Sequence, residues 1–196
     1  MLIGLTGAIG GGKSTALAAF AAVGADTCDA DRMCHELYDD PNLLDRLAAR
    51  WGDIRDAEGR ADRKKIAAIV FDRPEELAFL TGTLYPMLEA RLVESKHAAE
   101  RPGAPILVAE IPLLFESGME RLCDVTAALW TGAELRHARL RVRGLSPEEI
   151  AKREARQWSE EAKWEAADHG IVNTGSPRML EMQCRHLMDI WEEKKK

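Results

Sequence analysis

The chain is 196 residues long and 46% hydrophobic, with 27 Lys and Arg against 33 Asp and Glu and a formal net charge of -6. That length buries one core of ordinary size with room for an insertion or a lid, so one catalytic domain is expected. The negative balance gives no general attraction to a nucleic-acid backbone, so nucleic acid is not expected as a partner and any polyanionic substrate must be held by local donor clusters.

Cys28, Cys34, Cys123 and Cys184 lie far apart and form no C-x-x-C pair, which fits neither a zinc site nor a dense disulfide framework. Met1 runs directly into apolar Leu2 with no basic leader, so a reducing, cytoplasmic location is expected. The longest apolar stretch, residues 16–25, is about half of what a bilayer span needs, so no membrane role is expected.

Residues 2–6 are an apolar run ending at Gly7, the pattern of a buried strand feeding a tight turn. Residues 13–23 read as an alanine-rich helix. Residues 25–28 predict a second strand that stops at Asp29-Ala30-Asp31, which puts carboxylates at its C-terminal end. Helical spacing then recurs over residues 42–51, 62–71, 74–84 and 86–100, with a polar break at 52–59, and this block is expected beside the sheet. Residues 106–109 and 125–130 are β-prone runs, each followed by turn chemistry and a helix, the alternation of parallel crossover units. Residues 133–143 and 147–158 predict two charged helices joined by Gly144-Leu145-Ser146, with Ser146, Pro147 and Glu149 forming a capping box. Ile171 and Val172 give a last short strand, and residues 177–193 a final helix whose trailing lysines complement its C-terminal dipole.

Gly7-Ala8-Ile9-Gly10-Gly11-Gly12-Lys13-Ser14 fits G-x-x-x-x-G-K-S between a predicted strand and a predicted helix. Gly7, Gly10, Gly11 and Gly12 let successive backbone N–H groups turn toward phosphate oxygens, and the helix N-terminus adds partial positive charge. Lys13 then reaches the β and γ phosphates of a nucleotide, Ser14 offers a hydroxyl to Mg2+, and Thr15 adds a donor to the α phosphate. The motif alone does not separate a kinase from a GTPase or a motor ATPase. No N-K-x-D guanine signature occurs, and the run over 106–109 ends in Glu110, which is only loosely motor-like.

Asp29 and Asp31, at the carboxyl edge of a parallel sheet, can take a proton from an attacking hydroxyl or hold the water shell of Mg2+. At this point the alternative stays open that Asp29 caps the next helix while Asp31 is solvated. Arg136, Arg139, Arg141 and Arg143 share one predicted helix, Arg139 and Arg143 one turn apart, and Arg153 and Gln157 repeat that spacing. Such residues either close over a triphosphate or form a solvated, salt-bridged hairpin.

Ile3-Gly4-Leu5-Thr6-Gly7 with the phosphate loop, Asp29-Ala30-Asp31, Pro112-Leu113-Leu114-Phe115-Glu116, Arg153 with Gln157, and Ala167-Asp168 leading to Asn173 and Gly175 together resemble the dephospho-coenzyme A kinase family along the whole chain. The resemblance implies a three-layer α/β P-loop kinase fold, a five-stranded parallel sheet flanked by helices. It implies one domain with a core of residues 1–32, 104–134 and 166–196, a helical substrate-binding insertion over about 33–100 and a lid over about 135–158. It implies transfer of the γ phosphate of ATP to the ribose 3′-hydroxyl of dephospho-coenzyme A, with Asp31 as general base and Lys13 and Arg139 stabilising the transferred group. By the same resemblance, Asp29 joins Ser14 on the Mg2+ side, Arg139 and Arg143 are lid arginines, and Asn173 and Gly175 lie beside the adenine. Three positions depart from the family pattern: Tyr85-Pro86 for His-Pro, a shortened Arg143-Gly144 for Arg-Asp-Gly, and Glu110 where an Asp often precedes Pro-Leu-Leu. The alternatives carried alongside are a kinase for another small alcohol or nucleoside monophosphate, and a non-catalytic nucleotide-gated binding protein. A monomer is expected by default.

Overall fold

Five short strands, Leu2–Gly7 (β1), Asp26–Asp29 (β2), Leu107–Glu110 (β3), Val125–Trp130 (β4) and His169–Val172 (β5), pair in parallel in the order β2-β3-β1-β4-β5 in a computed structural model. The structure describes residues 1–101 and 103–195. β1 is central and buried at every position, which is why it reads as an uninterrupted apolar run instead of an alternating one. Because all the strands are parallel, Gly7, Asp29 and Glu110 all stand at the carboxyl edge, with Asp29 in register with Glu110. Ligands of open α/β sheets bind at that edge.

Residues 1–29 with 95–196 form one compact unit and residues 30–94 a second. In the first, helices α1 (Lys13–Ala22) and α9 (Pro177–Lys195) pack together and α1 rests on the strands. Phe20 and Trp191, both fully buried, stack with ring centroids 5.5 Å apart, and Ile3, Leu5, Val108, Leu129 and Ile171 complete that core. The ring of Trp164 lies against Gly170 of β5, where any side chain would collide with it. Lys96 donates to Asp124 at 2.7 Å and to the Leu122 carbonyl at 2.9 Å, fixing the last turn of a long helix to the segment that enters β4.

The second unit holds α2 (Ala30–Leu37), α3 (Pro41–Trp51), α4 (Arg63–Val70) and most of α5 (Pro74–Ala99). Leu80, Leu84, Leu88 and Leu92 recur every fourth residue of α5 and are all buried. Glu76 accepts from Arg50 at 2.7 and 3.0 Å and from the Trp51 indole at 2.6 Å; those hydrogen bonds, Arg50's first, hold its carboxyl down to about 2.

Two helix boundaries differ from the sequence expectation. Residues 74–84 and 86–100 were expected as separate helices broken at Pro86, yet α5 runs through it. The carbonyl that loses its N–H partner and would clash with the ring belongs to Gly82, four residues earlier, and both Gly82 and Pro86 face solvent. The helix expected over 147–158 ends at Glu154, and a further helix, α8 (Glu160–Ala166), begins after Ser159, whose hydroxyl accepts from the Ala162 amide. Trp158 cannot continue the first helix because its amide donates to Glu116 at 2.7 Å. The Ser146, Pro147 and Glu149 capping box starts α7 (Pro147–Glu154), and α6 (Ala133–Val142) precedes it. Among the described residues no helix is long and apolar enough to cross a membrane.

Candidate active site

The chain leaves β1 at Gly7 and enters α1 at Lys13, so the glycine-rich segment joins the carboxyl end of the central strand to a helix N-terminus. Gly10 and Gly12 hold φ of 78° and 86°, a region open to glycine at little cost. Neighbours also enforce glycine. A Cβ on Gly10 would lie 2.9 Å from the Arg136 carbonyl oxygen, and one on Gly12 would run into the Asn173 amide. Gly12 caps α1 without a side-chain hydrogen bond, so the amides of Lys13, Ser14 and Thr15 have no side-chain acceptor from the cap residue.

The loop carbonyls, by contrast, are claimed from behind. Arg136 donates to Ile9 at 3.2 Å, while the Thr131 hydroxyl and the Asn173 amide both donate to Gly11, at 2.9 and 2.8 Å. The Gly11 amide turns back to Ala8 at 3.0 Å, and Lys13 lies over the loop, its ammonium 3.1 Å from the Gly7 carbonyl and 3.4 Å from that of Ala8. With the Ile9 and Gly11 carbonyls held by these donors, the glycine-rich turn before a helix start is the kind of backbone that binds anions. Ser14 and Thr15 are exposed on the first turn of α1.

Arg139 reaches over this loop from α6. One guanidinium nitrogen donates to the Asn173 carbonyl at 3.2 Å; Nη1 is buried, has no hydrogen-bond partner among the described residues, and stands 3.4 Å from where a Cβ on Gly12 would sit. A buried guanidinium nitrogen without an acceptor is costly. Beside it, Thr131, Gly132, Ala133, Glu134, Leu135, Ala138 and Thr174 line a pocket of about 480 Å³.

The first unit therefore brings together Gly7, Gly10, Gly11, Gly12, Lys13, Ser14, Thr15, Arg139 and Asn173. Asp29, half-buried, ends β2 beside Glu110. Arg143 is exposed and caps the C-terminus of α6 one turn beyond Arg139. Gly175 sits just before α9, where a Cβ would meet the Met179 sulfur at 2.8 Å. Asp31 lies exposed in the first turn of α2, within the unit formed by residues 30–94. Arg136, grouped with the other arginines in the sequence, is instead buried and paired with Glu154 at 2.5 Å and Glu160 at 3.4 Å. Sequence reasoning missed Thr131, although a polar residue directly after the apolar run 125–130 is the signal that could have found it. Asp168, within the Ala167-Asp168 pair, accepts from the Thr126 amide and hydroxyl, both at 2.8 Å, and the amide hydrogen bond foremost lowers its carboxyl.

The family description "Dephospho-CoA kinase" matches residues 1–178. The chain is 39% identical to a dephospho-CoA kinase of Chlorobaculum tepidum over 95% of its own length and 93% of that protein's. Among solved structures it is similar to TT1252 from Thermus thermophilus, with 35% identity, a TM-score of 0.79 and coverage of 98% and 97% of the two chains. It is likewise similar to a dephospho-CoA kinase from Campylobacter jejuni, with 27% identity, a TM-score of 0.75 and coverage of 100% and 98%. With a family match across most of its length and relatives covered nearly end to end, the chain belongs to the dephospho-CoA kinase family.

Proposed function

We propose that this protein transfers the γ phosphate of ATP to the ribose 3′-hydroxyl of dephospho-coenzyme A, giving coenzyme A and ADP, the last step of coenzyme A synthesis. The observation that carries the phosphate half of this reading is the loop itself: carbonyls tied back by Arg136, Thr131 and Asn173, an uncapped helix start, and the unpaired Nη1 of Arg139 over Gly12. Membership of the family supports the acceptor.

The loop amides and Lys13 hold the β and γ phosphates, and Arg139 supplies a charge-assisted donor to the transferring group, with Arg143 reaching it from the same face of α6. Positioning does most of the work, since phosphoryl transfer demands little covalent chemistry of the protein. Asp31 accepts the proton of the attacking hydroxyl, on the match of Asp29-Ala30-Asp31 to the family's acidic pair. The base of ATP takes the pocket bounded by Thr131 to Leu135 and Thr174, with the Asn173 to Gly175 loop along its edge.

Among the described residues no group of three or more His, Cys, Asp or Glu is arranged to hold a metal by itself. The hard oxygen donors Ser14 and Asp29 fit Mg2+, which takes one or two protein ligands and completes its shell with phosphates and water. When bound, it neutralises charge on the phosphates. We take about 33–100 as the acceptor-binding insertion, about 135–158 as the lid, and residues 1–32, 104–134 and 166–196 as the catalytic core of one domain that acts as a cytoplasmic monomer.

The test is acceptor-dependent consumption of ATP by purified protein offered dephospho-coenzyme A, adenosine monophosphate, cytidine monophosphate or shikimate. Turnover with dephospho-coenzyme A alone is expected; turnover only with another acceptor would replace the substrate, and ATP hydrolysis indifferent to every acceptor would remove the kinase reading.

A further inference from the structure

Packed against the phosphate loop is a charge cluster with two buried members. Arg136 is 6% exposed and Glu160 3%. The Glu160 carboxylate accepts from two consecutive amides at the exit of β4, Thr131 at 2.9 Å and Gly132 at 2.8 Å, and lies 3.4 Å from the Arg136 Nε. Arg136 spends Nη1 on the Ile9 carbonyl of the loop, 3.2 Å away, and on Glu154 of α7 at 2.5 Å. His137 meets Glu154 at 3.1 Å from the other side. One carboxylate thus contacts both residues that anchor the loop within this cluster, Thr131 with its hydroxyl on Gly11 and Arg136 with its Nη1 on Ile9.

We propose that Arg136, seated by Glu160, is a positioning residue for nucleotide binding: it presets the loop by drawing the Ile9 carbonyl away from the phosphate side, and it ties that carbonyl to α7 through Glu154. α6 then carries two arginines three residues apart with separate duties, Arg136 beneath the loop and Arg139 above it. The back of Gly10 rests on the Arg136 carbonyl, so the residue shapes the loop from both its backbone and its side chain. Lysine substitutes only in part, because an ammonium point charge lacks the planar guanidinium that sets Nη1 on Ile9 and Glu154 while Nε lies toward Glu160. A buried ion cluster is a poor source of net stability, which leaves geometry as the role this one fits.

This inference rests on the loop's being the ATP site, and not on the identity of the acceptor. The experiment measures, in the full chain, the thermal stabilisation given by ADP and the KM values for ATP and dephospho-coenzyme A in wild type, Arg136→Met, Arg136→Lys and Glu160→Gln. Arg136→Met is expected to raise the ATP KM about tenfold or more, with the acceptor KM within about twofold of wild type, and to shrink the ADP-induced shift in parallel. Arg136→Lys and Glu160→Gln should show the same selective loss to a smaller degree. Variants that melt earlier yet keep the wild-type ATP KM and ADP shift would overturn the proposal, since a merely structural role predicts that pattern. If Arg136→Met does not accumulate as folded protein, Arg136→Lys decides by the same ratio of the two KM values. If wild type lacks turnover with dephospho-coenzyme A, the ADP shift alone still reads the loop, and the two failures are told apart.

Discussion

Asn173 donates its side-chain amide to the Gly11 carbonyl at 2.8 Å, and the same nitrogen fills the space into which a side chain on Gly12 would grow. The final strand and the phosphate loop are therefore locked together by a group that tolerates nothing larger than hydrogen at that position. Gly12→Ala should cost about 1–2 kcal/mol in left-handed backbone strain and also push Asn173 off the loop. The expected outcome is loss of most of the thermal stabilisation by ADP. Gly118→Ala is the control: it holds the same left-handed conformation, with φ of 71°, but nothing stands within 4 Å, so ADP should stabilise that variant as it does wild type. Equal ADP responses from both variants would contradict the packing account.

The proposed role of Asp31 as general base predicts a separation of binding from chemistry. Asp31→Asn keeps size and shape and removes the proton acceptor, so ADP binding should persist while kcat falls by about a hundredfold or more. Turnover close to wild type in this variant would take Asp31 out of the mechanism.

Lys163 is fully buried, with its ammonium 2.9 Å from Glu116 and 2.6 Å from the Pro112 carbonyl. Glu116 in turn receives the Trp158 amide, and Phe115 stacks on Trp158 with centroids 5.6 Å apart. Removing only the cation leaves a largely buried carboxylate uncompensated, so Lys163→Met should destabilise by roughly 3–5 kcal/mol in urea titration. With Glu116→Gln added, the double variant should lose clearly less than the sum of the two single losses; a loss equal to or greater than that sum would show that the two groups are not a pair.

Acid behaviour offers a signed test at Glu76. Its folded carboxyl is held at about 2 against an ordinary 4.5 by the hydrogen bonds from Arg50 and Trp51. A depressed carboxyl stabilises the fold above its unfolded value and loses that contribution as pH falls through the folded one. The stability difference between wild type and Glu76→Gln should thus be constant from neutral pH down to about 4.5 and shrink below it, as urea titrations at several pH values would register. A difference that widens on acidification would reverse the sign and refute the assignment.

What the sequence disclosed was whatever is local in the chain. The phosphate loop is eight contiguous residues between an apolar run and an alanine-rich helix, and residues 125–130 stand out because a buried parallel strand needs no polar alternation. What it concealed depends on residues far apart. The continuity of α5 through Pro86 is decided by the bare, solvated Gly82 one turn back, and the start of α8 by Glu116 claiming the Trp158 amide across 42 positions. The arginines of α6 look alike in sequence; only the fold separates Arg136, buried against Glu160, from Arg139, whose free nitrogen faces the loop.

The claim at the centre is that the γ phosphate leaves ATP for one particular hydroxyl. Incubating the protein with Mg2+, ATP and dephospho-coenzyme A, then resolving products by chromatography and phosphorus NMR, measures it directly. The account predicts ADP and a ribose 3′-phosphomonoester in equal amounts; ADP accompanied by inorganic phosphate, or a phosphate on any other position, would contradict it.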